Sequence, residues 1–236
     1  MAIAHVASTS FTFGAGNGTS SSIDTTGANL LVVVVSSYYG APAPTLTDSK
    51  GNTWTTAQDF VGSGAAGNRL RMYYCLGGTV GSGHTVSITA SGAYGSVAFA
   101  SYSGVLASAA LDQGTITGSN GLTSIQAGSV TPSEGNELVV AGLGYQTAAA
   151  TASIDGGFTK RVNDNPQSGV SYGVALGDLI QTSAAAANPT WSWTGAGEAS
   201  AAIATFKAAA GGPPPDPLPP VPQMVRSQAA GRASNF

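Results

Sequence analysis

Short runs of β-branched and aromatic residues recur along the whole chain, each bounded by Gly, Asn, Asp or Ser. The clearest runs are residues 30–39, 69–76, 97–102, 137–145, 171–180 and 199–206. The sustained 3.6-residue periodicity of amphipathic helices is absent. Residues 47–54, Thr-Asp-Ser-Lys-Gly-Asn-Thr-Trp, combine an Asp-initiated turn with a Gly for the positive-φ position, which predicts a β-hairpin. We therefore predict an all-β, antiparallel fold.

The order of these candidate strands repeats once along the chain. Residues 27–33 (Gly-Ala-Asn-Leu-Leu-Val-Val) parallel residues 135–140 (Gly-Asn-Glu-Leu-Val-Val), and later runs correspond in the same order. The sequence predicts two diverged halves, approximately residues 1–106 and 107–210. They could form two small sandwiches, or interleave into one jelly-roll-like β-sandwich. We expect the single sandwich, because each half offers only six or seven short strands and the joint at residues 106–112 is apolar.

Charged residues are scarce. They make up 8% of the 236 residues, against about 25% in typical soluble domains, so Ser, Thr, Asn and Gly must solvate the surface. This composition is common in extracellular and virion β-proteins. The net charge of −3 provides no basic surface for nucleic acid. The longest apolar run, residues 30–35, is too short for a membrane span, and no signal peptide is recognisable. We expect no nucleic-acid or membrane partner.

No residue pattern indicates catalysis, a cofactor or a metal site. The single cysteine, Cys75, excludes an intramolecular disulfide and a Cys-based metal site. Residues 62–67 match G-x-G-x-x-G but precede a candidate strand, whereas a dinucleotide site needs a helix there. Residues 169–173 match G-x-S-x-G, yet both histidines precede its serine, and a hydrolase of that type needs a later histidine. We expect a non-enzymatic protein without a cofactor.

Three aromatic residues are candidates for stacking on a glycan. Trp191 and Trp193 lie two residues apart, so on a strand both face the same side. We expect them to fill the core, and the alternative is a flat glycan platform on the sandwich surface. Tyr39 is the third candidate, because one of the consecutive residues Tyr38 and Tyr39 must point outward from a strand.

The last 26 residues, 211–236, differ from everything before them. Seven of the 12 prolines fall between Pro213 and Pro222. Such a run adopts polyproline II, and ten residues at about 3.1 Å each span roughly 30 Å. An extended arm has nothing to contact in its own domain, so we expect a β-sandwich at residues 1–210 and a partner-binding arm at residues 211–236. The expected contact residues are Pro213, Pro217, Pro220, Met224, Val225, Arg226 and Phe236.

Several segments resemble a known module: Gly-Ala-Asn-Leu-Leu-Val-Val (27–33), Thr-Asp-Ser-Lys-Gly-Asn-Thr-Trp (47–54), Arg-Met-Tyr-Tyr-Cys (71–75) and Gly-His-Thr-Val-Ser-Ile (83–88). They are similar to a jelly-roll β-sandwich module of phage virion proteins, such as capsid decoration proteins and tail fibres, and of bacterial surface proteins. The resemblance covers roughly residues 9–207. It implies a binding or assembly module without catalytic residues.

Together these features lead us to expect a phage capsid decoration protein, anchored by its C-terminal arm. The expected partners are the major capsid protein or neighbouring virion subunits, together with further copies of the chain in a homo-oligomer. The expected location is the virion, assembled in the host cytoplasm. The alternative is a carbohydrate-binding or host-adhesion module of a tail fibre or surface protein.

Overall fold

The computed structural model describes residues 2–14, 16–62, 68–146, 150–167 and 171–209. Within these ranges the chain forms fourteen β-strands and no helix, and every strand pair is antiparallel. The predicted all-β, antiparallel class is confirmed. The described part of the chain accordingly contains no helix long and apolar enough to cross a membrane. The predicted arm, residues 211–236, lies outside the described residues.

The first half contributes eight strands: β1 (Ala4–Phe13), β2 (Gly18–Thr19), β3 (Leu30–Tyr38), β4 (Thr45–Asp48), β5 (Thr55–Val61), β6 (Asn68–Leu76), β7 (Val86–Thr89) and β8 (Gly95–Ser103). The second half contributes six: β9 (Leu111–Gln126), β10 (Leu138–Gln146), β11 (Ser153–Ile154), β12 (Thr159–Asp164), β13 (Tyr172–Ile180) and β14 (Thr190–Phe206).

No sheet of the described residues mixes strands from the two halves. The first half forms a five-stranded sheet, β1-β8-β3-β6-β5, and a three-stranded sheet, β2-β7-β4. The second half forms a six-stranded sheet, in which β9, β14, β10, β13 and β12 follow one another and β11 pairs with the start of β14. The sheets therefore differ from the interleaved arrangement expected from the sequence.

The central strands β3 and β10 explain why the halves stay separate. Alternate side chains of residues 30–35 belong to two apolar clusters, one shared with the second half and one formed with the three-stranded sheet. In β10, Leu138 and Val140 join the shared cluster, whereas Val139 packs within its own half. Each large sheet is thus covered on one face by its own half and on the other by the opposite half. A strand buried on both faces reads as a continuous apolar run, as residues 30–35 do.

The second half repeats the pairing of the first. β3 pairs with β6 over nine residues, with Leu30 opposite Leu76, and β10 pairs with β13 over nine residues, with Leu138 opposite Ile180. The counterpart of the sheet β2-β7-β4 is formed by the end of β9, the start of β14 and β11. β1 packs over β12 and β5 over β9, so the halves are related by an approximate two-fold axis between the large sheets.

Residues 47–54 form the predicted turn but not the predicted hairpin. Gly51 has a φ of 71°, and its N–H donates to the carbonyl oxygen of Asp48 at 3.3 Å. Asp48 Oδ1 accepts from the N–H of Lys50 at 2.7 Å, and Oδ2 accepts from Trp54 Nε1 at 2.8 Å. However, β4 pairs with β7 and β5 pairs with β6, so the turn crosses from the small sheet to the large one. Local turn chemistry fixes the reversal and leaves the choice of partner strand to the packing.

A buried ionic network joins the two halves along one side of their interface. Asp178, which is 3% exposed, accepts hydrogen bonds from Arg161 Nε at 2.6 Å and Nη2 at 2.9 Å. The hydroxyl of Tyr102 donates to the same carboxylate at 2.9 Å. The ring of His5 lies edge-on to Tyr102, with the ring centroids 5.6 Å apart. The network thus joins four strands of both halves, with Arg161 and Tyr102 donating to the carboxylate and His5 packing against Tyr102.

The equivalent position on the opposite side of the interface is apolar. In the repeated register, Phe206 takes the place of Tyr102 and Tyr74 takes the place of Asp178. Their rings pack edge-to-face with centroids 5.6 Å apart. The same fold therefore contains an aromatic pair at one of these two equivalent positions and an ionic network at the other. The fold by itself does not require the network.

We expect Asp178→Asn to lower the free energy of unfolding by about 2–4 kcal/mol, because removing one partner of a buried ion pair leaves a desolvated charge. The Arg161 side chain is 26% exposed, and its contact with water keeps the loss below that of a fully buried charge. Asp59→Asn is the matched control: it removes the partly exposed partner of Arg71, 2.5 Å away, and should cost about 1 kcal/mol or less. Urea unfolding measures both variants, and equal losses would contradict the stronger role of the buried pair.

Candidate functional site

The two tryptophans suggested as a glycan platform lie in the core. Trp191 is 1% exposed and Trp193 is 6% exposed, and both belong to the apolar cluster of the second half. Tyr145 packs against Trp193 with ring centroids 5.6 Å apart. The expected core position of this pair is therefore confirmed, and the alternative of a glycan platform is wrong, because burial leaves neither ring a face for a ligand arriving from solvent.

The predicted contact residues of the arm lie outside the described residues: Pro213, Pro217, Pro220, Met224, Val225, Arg226 and Phe236. Two sequence motifs also fall partly outside, at residues 63–67 and 168–170. The described part of the second motif leads from Ser171 into β13, so a strand follows the serine where a nucleophile elbow would need a helix.

Tyr39, the third candidate for glycan stacking, belongs to a cluster of four tyrosines. Tyr38 and Tyr94 stack with ring centroids 5.5 Å apart and an interplanar angle of 1°. Tyr39 lies 5.2 Å from Tyr38, and Tyr172 lies 5.8 Å from Tyr94 and 6.4 Å from Tyr38. Tyr38, Tyr39 and Tyr94 are half-buried, and Tyr172 is buried. We call these four residues the tyrosine site; it lies at one end of the interface between the halves.

Backbone contacts at the end of β3 position the stacked rings. β3 ends at Tyr38, whose N–H donates to the carbonyl oxygen of Tyr94 at 3.1 Å. Gly40 leaves room for the Tyr38 side chain, since a Cβ there would lie 2.6 Å from the tyrosine hydroxyl oxygen. Arg69 Nη1 donates to the carbonyl oxygen of Ala41 at 3.1 Å and ties the following segment to β6. The rings are thus held by ordered backbone on both sides.

At this end, polar side chains replace the apolar core between the large sheets. Asn68, Ser96 and Ser200 are buried, and the Ser200 hydroxyl donates to Asn68 Oδ1 across the two halves. The Ser96 hydroxyl donates to the carbonyl oxygen of Tyr172 at 2.6 Å, also across the halves. These two contacts occupy equivalent positions in the repeated register, so they lie on either side of the approximate two-fold axis.

The tyrosine site forms where the two halves differ in sequence. Gln146 takes the position equivalent to Tyr38, and Glu198 takes the position equivalent to Tyr94. Gly144 brings the sheets together here, because a Cβ at that position would lie 2.7 Å from Asn68 Nδ2. The aromatic surface therefore comes mainly from the first half, and the second half supplies a carboxylate and an amide.

Five buried polar atoms at this end have no hydrogen-bond partner among the described residues: Ser36 Oγ, Ser37 Oγ, Asn68 Nδ2, Arg69 Nε and Glu198 Oε2. The described part of the chain holds twelve such side-chain atoms. Ser36 and Asn68 lie on the face of the first large sheet that meets the second half, whereas Ser37 and Arg69 lie on its opposite face. Buried polar groups normally have a partner in the protein or in ordered water. On the side of the tyrosine rings, Ser36 and Asn68 are buried, and the half-buried Glu198 is the side chain that a ligand arriving from solvent can approach.

Electrostatics keeps the buried phenol of the site neutral. Burial raises the pKa of Tyr172 above the ordinary value of a phenol, and the negative charge of Glu198 raises it further. The phenol therefore stays protonated at neutral pH and retains its hydroxyl as a hydrogen-bond donor.

A second polar cluster has the residue types of a catalytic triad. Thr25 Oγ1 lies 2.9 Å from His84 Nδ1, and His84 Nε2 lies 3.6 Å from Asp48 Oδ1. All three side chains are buried, and Thr25 Oγ1 also accepts from the N–H of Gly81 at 3.0 Å. Burial lowers the pKa of His84. With no face open to a substrate, the cluster braces the small sheet against the turn at residues 47–54.

Neither metal ligands nor relatives point to another site. In the described ranges, no group of three or more His, Cys, Asp and Glu side chains could hold a metal ion. Comparisons with protein-family models, curated proteins and solved structures find no match. The functional proposal therefore depends on the residues and geometry of the tyrosine site.

Sequence reasoning found part of this site. It singled out Tyr39 because one of the consecutive strand residues Tyr38 and Tyr39 must point outward, but Tyr94 and Tyr172 join them only through the packing of separate strands and halves. One sequence signal was available: the pair Ser36-Ser37 ends the apolar run of β3 and indicates that the core becomes polar there.

We expect Glu198→Gln to lower the pKa of Tyr172, because it removes a negative charge that disfavours the phenolate. Burial remains, so the pKa should stay above that of a free tyrosine. Glu134→Gln is the control, since that side chain is 61% exposed and pairs with Lys207. Titration of ¹³C-labelled tyrosines by NMR resolves the individual phenols, and a Tyr172 curve unchanged by Glu198→Gln would contradict the electrostatic link.

Proposed function

We propose that the protein is a non-enzymatic attachment protein that binds a carbohydrate at the tyrosine site. The observation that supports this is the half-exposed rings of Tyr38, Tyr39 and Tyr94 beside the half-buried side chains of Gln146 and Glu198. A sugar ring has an apolar C–H face and a rim of hydroxyl groups. Aromatic faces can cover the first, and hydrogen-bond donors and acceptors can bind the second.

The charges around the site favour a neutral ligand. Glu198 and Arg69 lie at the same end of the interface and carry opposite charges. The whole chain has a net charge of −3, which offers no attraction for phosphate or other anions. A neutral saccharide satisfies the hydrogen-bonding atoms without adding an unpaired charge.

The spacing of carboxylates supports binding without hydrolysis. On the sheet that carries Glu198, the acid nearest to it at the same end of the strands is Asp164, at the end of β12. Two strands, β13 and β10, lie between β12 and β14, the strand of Glu198. Three steps between strands are about 14 Å. Glycosidases hold their two carboxyl groups about 5–10 Å apart. The pair is too widely spaced for that chemistry.

We expect Tyr39→Ala and Tyr94→Ala each to weaken saccharide binding about tenfold or more, a loss of about 1.4 kcal/mol for each tenfold step. Tyr39→Phe is the matched variant: it keeps the ring, so it should retain stacking and report only on the hydroxyl. A glycan array with the full chain identifies the ligand, and titration calorimetry then measures each variant.

Two results would overturn the carbohydrate proposal. One is an array without any bound glycan. The other is a bound glycan whose affinity is unchanged by both alanine variants while their circular dichroism spectra match that of the unmodified chain.

We further propose that each half is a jelly roll. Numbering the eight strands of the first half in chain order, one sheet runs 1-8-3-6-5 and the other 2-7-4. An eight-stranded jelly roll places strands 1-8-3-6 in one sheet and 2-7-4-5 in the other. Here the fifth strand, β5, joins the first sheet. The second half fits the same scheme, with β9 as strands 1 and 2 and β14 as strands 7 and 8.

A second candidate function is that of a phage capsid decoration protein anchored by the arm. The proline-rich run between Pro213 and Pro222 favours it, because a stiff extended segment loses less entropy on docking than a flexible one. The proposed partners are the major capsid protein or neighbouring virion subunits. Attachment through the arm and saccharide binding at the tyrosine site use different parts of the chain, so both can operate in one virion protein.

Truncation after Ala210 tests the arm. We expect the shortened chain to keep its thermal unfolding midpoint, because the described sandwich ends before the arm, and to lose most of its affinity for particles. Co-sedimentation with particles lacking the protein measures that affinity. Tyr39→Ala is the control and should sediment like the full chain. Equal decoration by the truncated and full chains would contradict the role of the arm.

A further inference from the structure

The end of the interface that carries the tyrosine site is wider than the cluster of rings. β13 packs against β8 and β3, and β14 packs against β6. Tyr172 on β13 and Tyr94 next to β8 therefore lie on one side of this end, and Glu198 on β14 lies on the other. β8 and β6 are the two neighbours of β3, so the two sides are about 10 Å apart.

Gln146 and Glu198 are neighbours on the second large sheet. They pair across β10 and β14, and each lies on the same face as the residue two positions inward on its own strand, Gly144 and Ser200. That face meets the first half, because the Ser200 hydroxyl donates to Asn68 there. Gln146 and Glu198 are half-buried, and Glu198 Oε2 has no hydrogen-bond partner among the described residues. Both side chains thus offer polar groups at the same end as the rings.

An aromatic ring lies beside these polar groups. Phe60 of β5 is half-buried and packs over Gly118, the partner of Ser200 on β9. A Cβ at Gly118 would lie 2.3 Å from Phe60 Cε1 and 2.7 Å from Ser200 Oγ. Ser200 is two residues from Glu198 on the same face of β14, about 7 Å along the strand. This side therefore combines an apolar ring with hydrogen-bonding groups, as the tyrosine side does.

We propose that Gln146, Glu198 and Phe60 form a second sugar subsite next to the tyrosine site, so that the protein binds a neutral saccharide of two or more residues. The proposal rests on the carbohydrate function proposed above. One sugar stacks on the tyrosine rings, and a neighbouring sugar places its hydroxyl groups against Gln146 and Glu198. An ionised carboxylate only accepts hydrogen bonds, whereas an amide both donates and accepts, so the pair suits adjacent free hydroxyls. A single pyranose ring is too narrow to contact both sides.

A glycan array and solution titrations test the full chain. The probes are glucose, galactose, mannose and N-acetylglucosamine, each as the single sugar and as its disaccharide. We expect a bound disaccharide to have about tenfold higher affinity than its own monosaccharide, because it adds hydrogen bonds to a charged group. Titration calorimetry measures the disaccharide, and NMR shifts of the tyrosine ring signals measure the weaker monosaccharide.

Substitutions separate the two subsites through the ratio of these two affinities. Glu198→Ala and Gln146→Ala should each bring the ratio close to one, because the second sugar loses its hydrogen-bond partner. Tyr39→Ala should weaken both probes and leave the ratio unchanged. Glu134→Ala is the matched control: this acid is 61% exposed, pairs with Lys207 beyond the far end of β14, and should bind both probes like the unmodified chain.

The outcomes distinguish this proposal from the carbohydrate function itself. Equal affinities of the unmodified chain for a monosaccharide and its disaccharide would overturn the second subsite and leave the tyrosine site standing. So would variants at Glu198 and Gln146 that keep the ratio of the unmodified chain while their circular dichroism spectra match it. An array without any bound sugar would overturn both proposals.

Discussion

Burial of both faces of the central strands is the constraint on which the rest of the structure depends. Because β3 is apolar on both sides, its sheet must be covered twice, and a three-stranded sheet can cover only one face. The second half covers the other face of this sheet. β10 is also apolar on both sides, so the first half covers one face of its sheet in the same way. Each half thus completes the core of its neighbour. Hydrophobic burial of this kind is the dominant favourable contribution to folding, and here it fixes the arrangement of the halves as well as their stability.

Divergence between the halves shows which features the fold does not dictate. On one side of the interface between the halves, the rings of Phe206 and Tyr74 pack together. At the equivalent position on the other side, the network around Asp178 joins the halves. The tyrosine site arises in the same way, since Gln146 and Glu198 stand where the first half has Tyr38 and Tyr94. A position that is apolar in one copy and polar in the other cannot owe its polarity to the architecture. Comparing the two copies therefore separates structural residues from candidates for function.

The sequence predicts much of the fold because its information is local. Apolar runs such as residues 30–35 identify strands, and the parallel between residues 27–33 and 135–140 identifies the duplication. Partner choice is not local: the turn at residues 47–54 has the chemistry of a hairpin and instead crosses between sheets. The tyrosine site was harder to predict from the sequence than the strand pairing, because Tyr94 and Tyr172 meet only after the halves pack. For Trp191 and Trp193, the alternation of side chains along a strand predicted that both face the same side. Their burial in the structure shows that this side is the core.

Joining two halves in one chain has a consequence for recognition. In a dimer of identical halves, a ligand on the two-fold axis would meet the same groups from either direction. Here Tyr38 and Gln146 occupy the matching positions, so the two directions across the axis differ in shape and in hydrogen-bonding groups. Covalent fusion lets these two matching positions carry an aromatic ring on one side of the axis and an amide on the other, which two identical halves could not do.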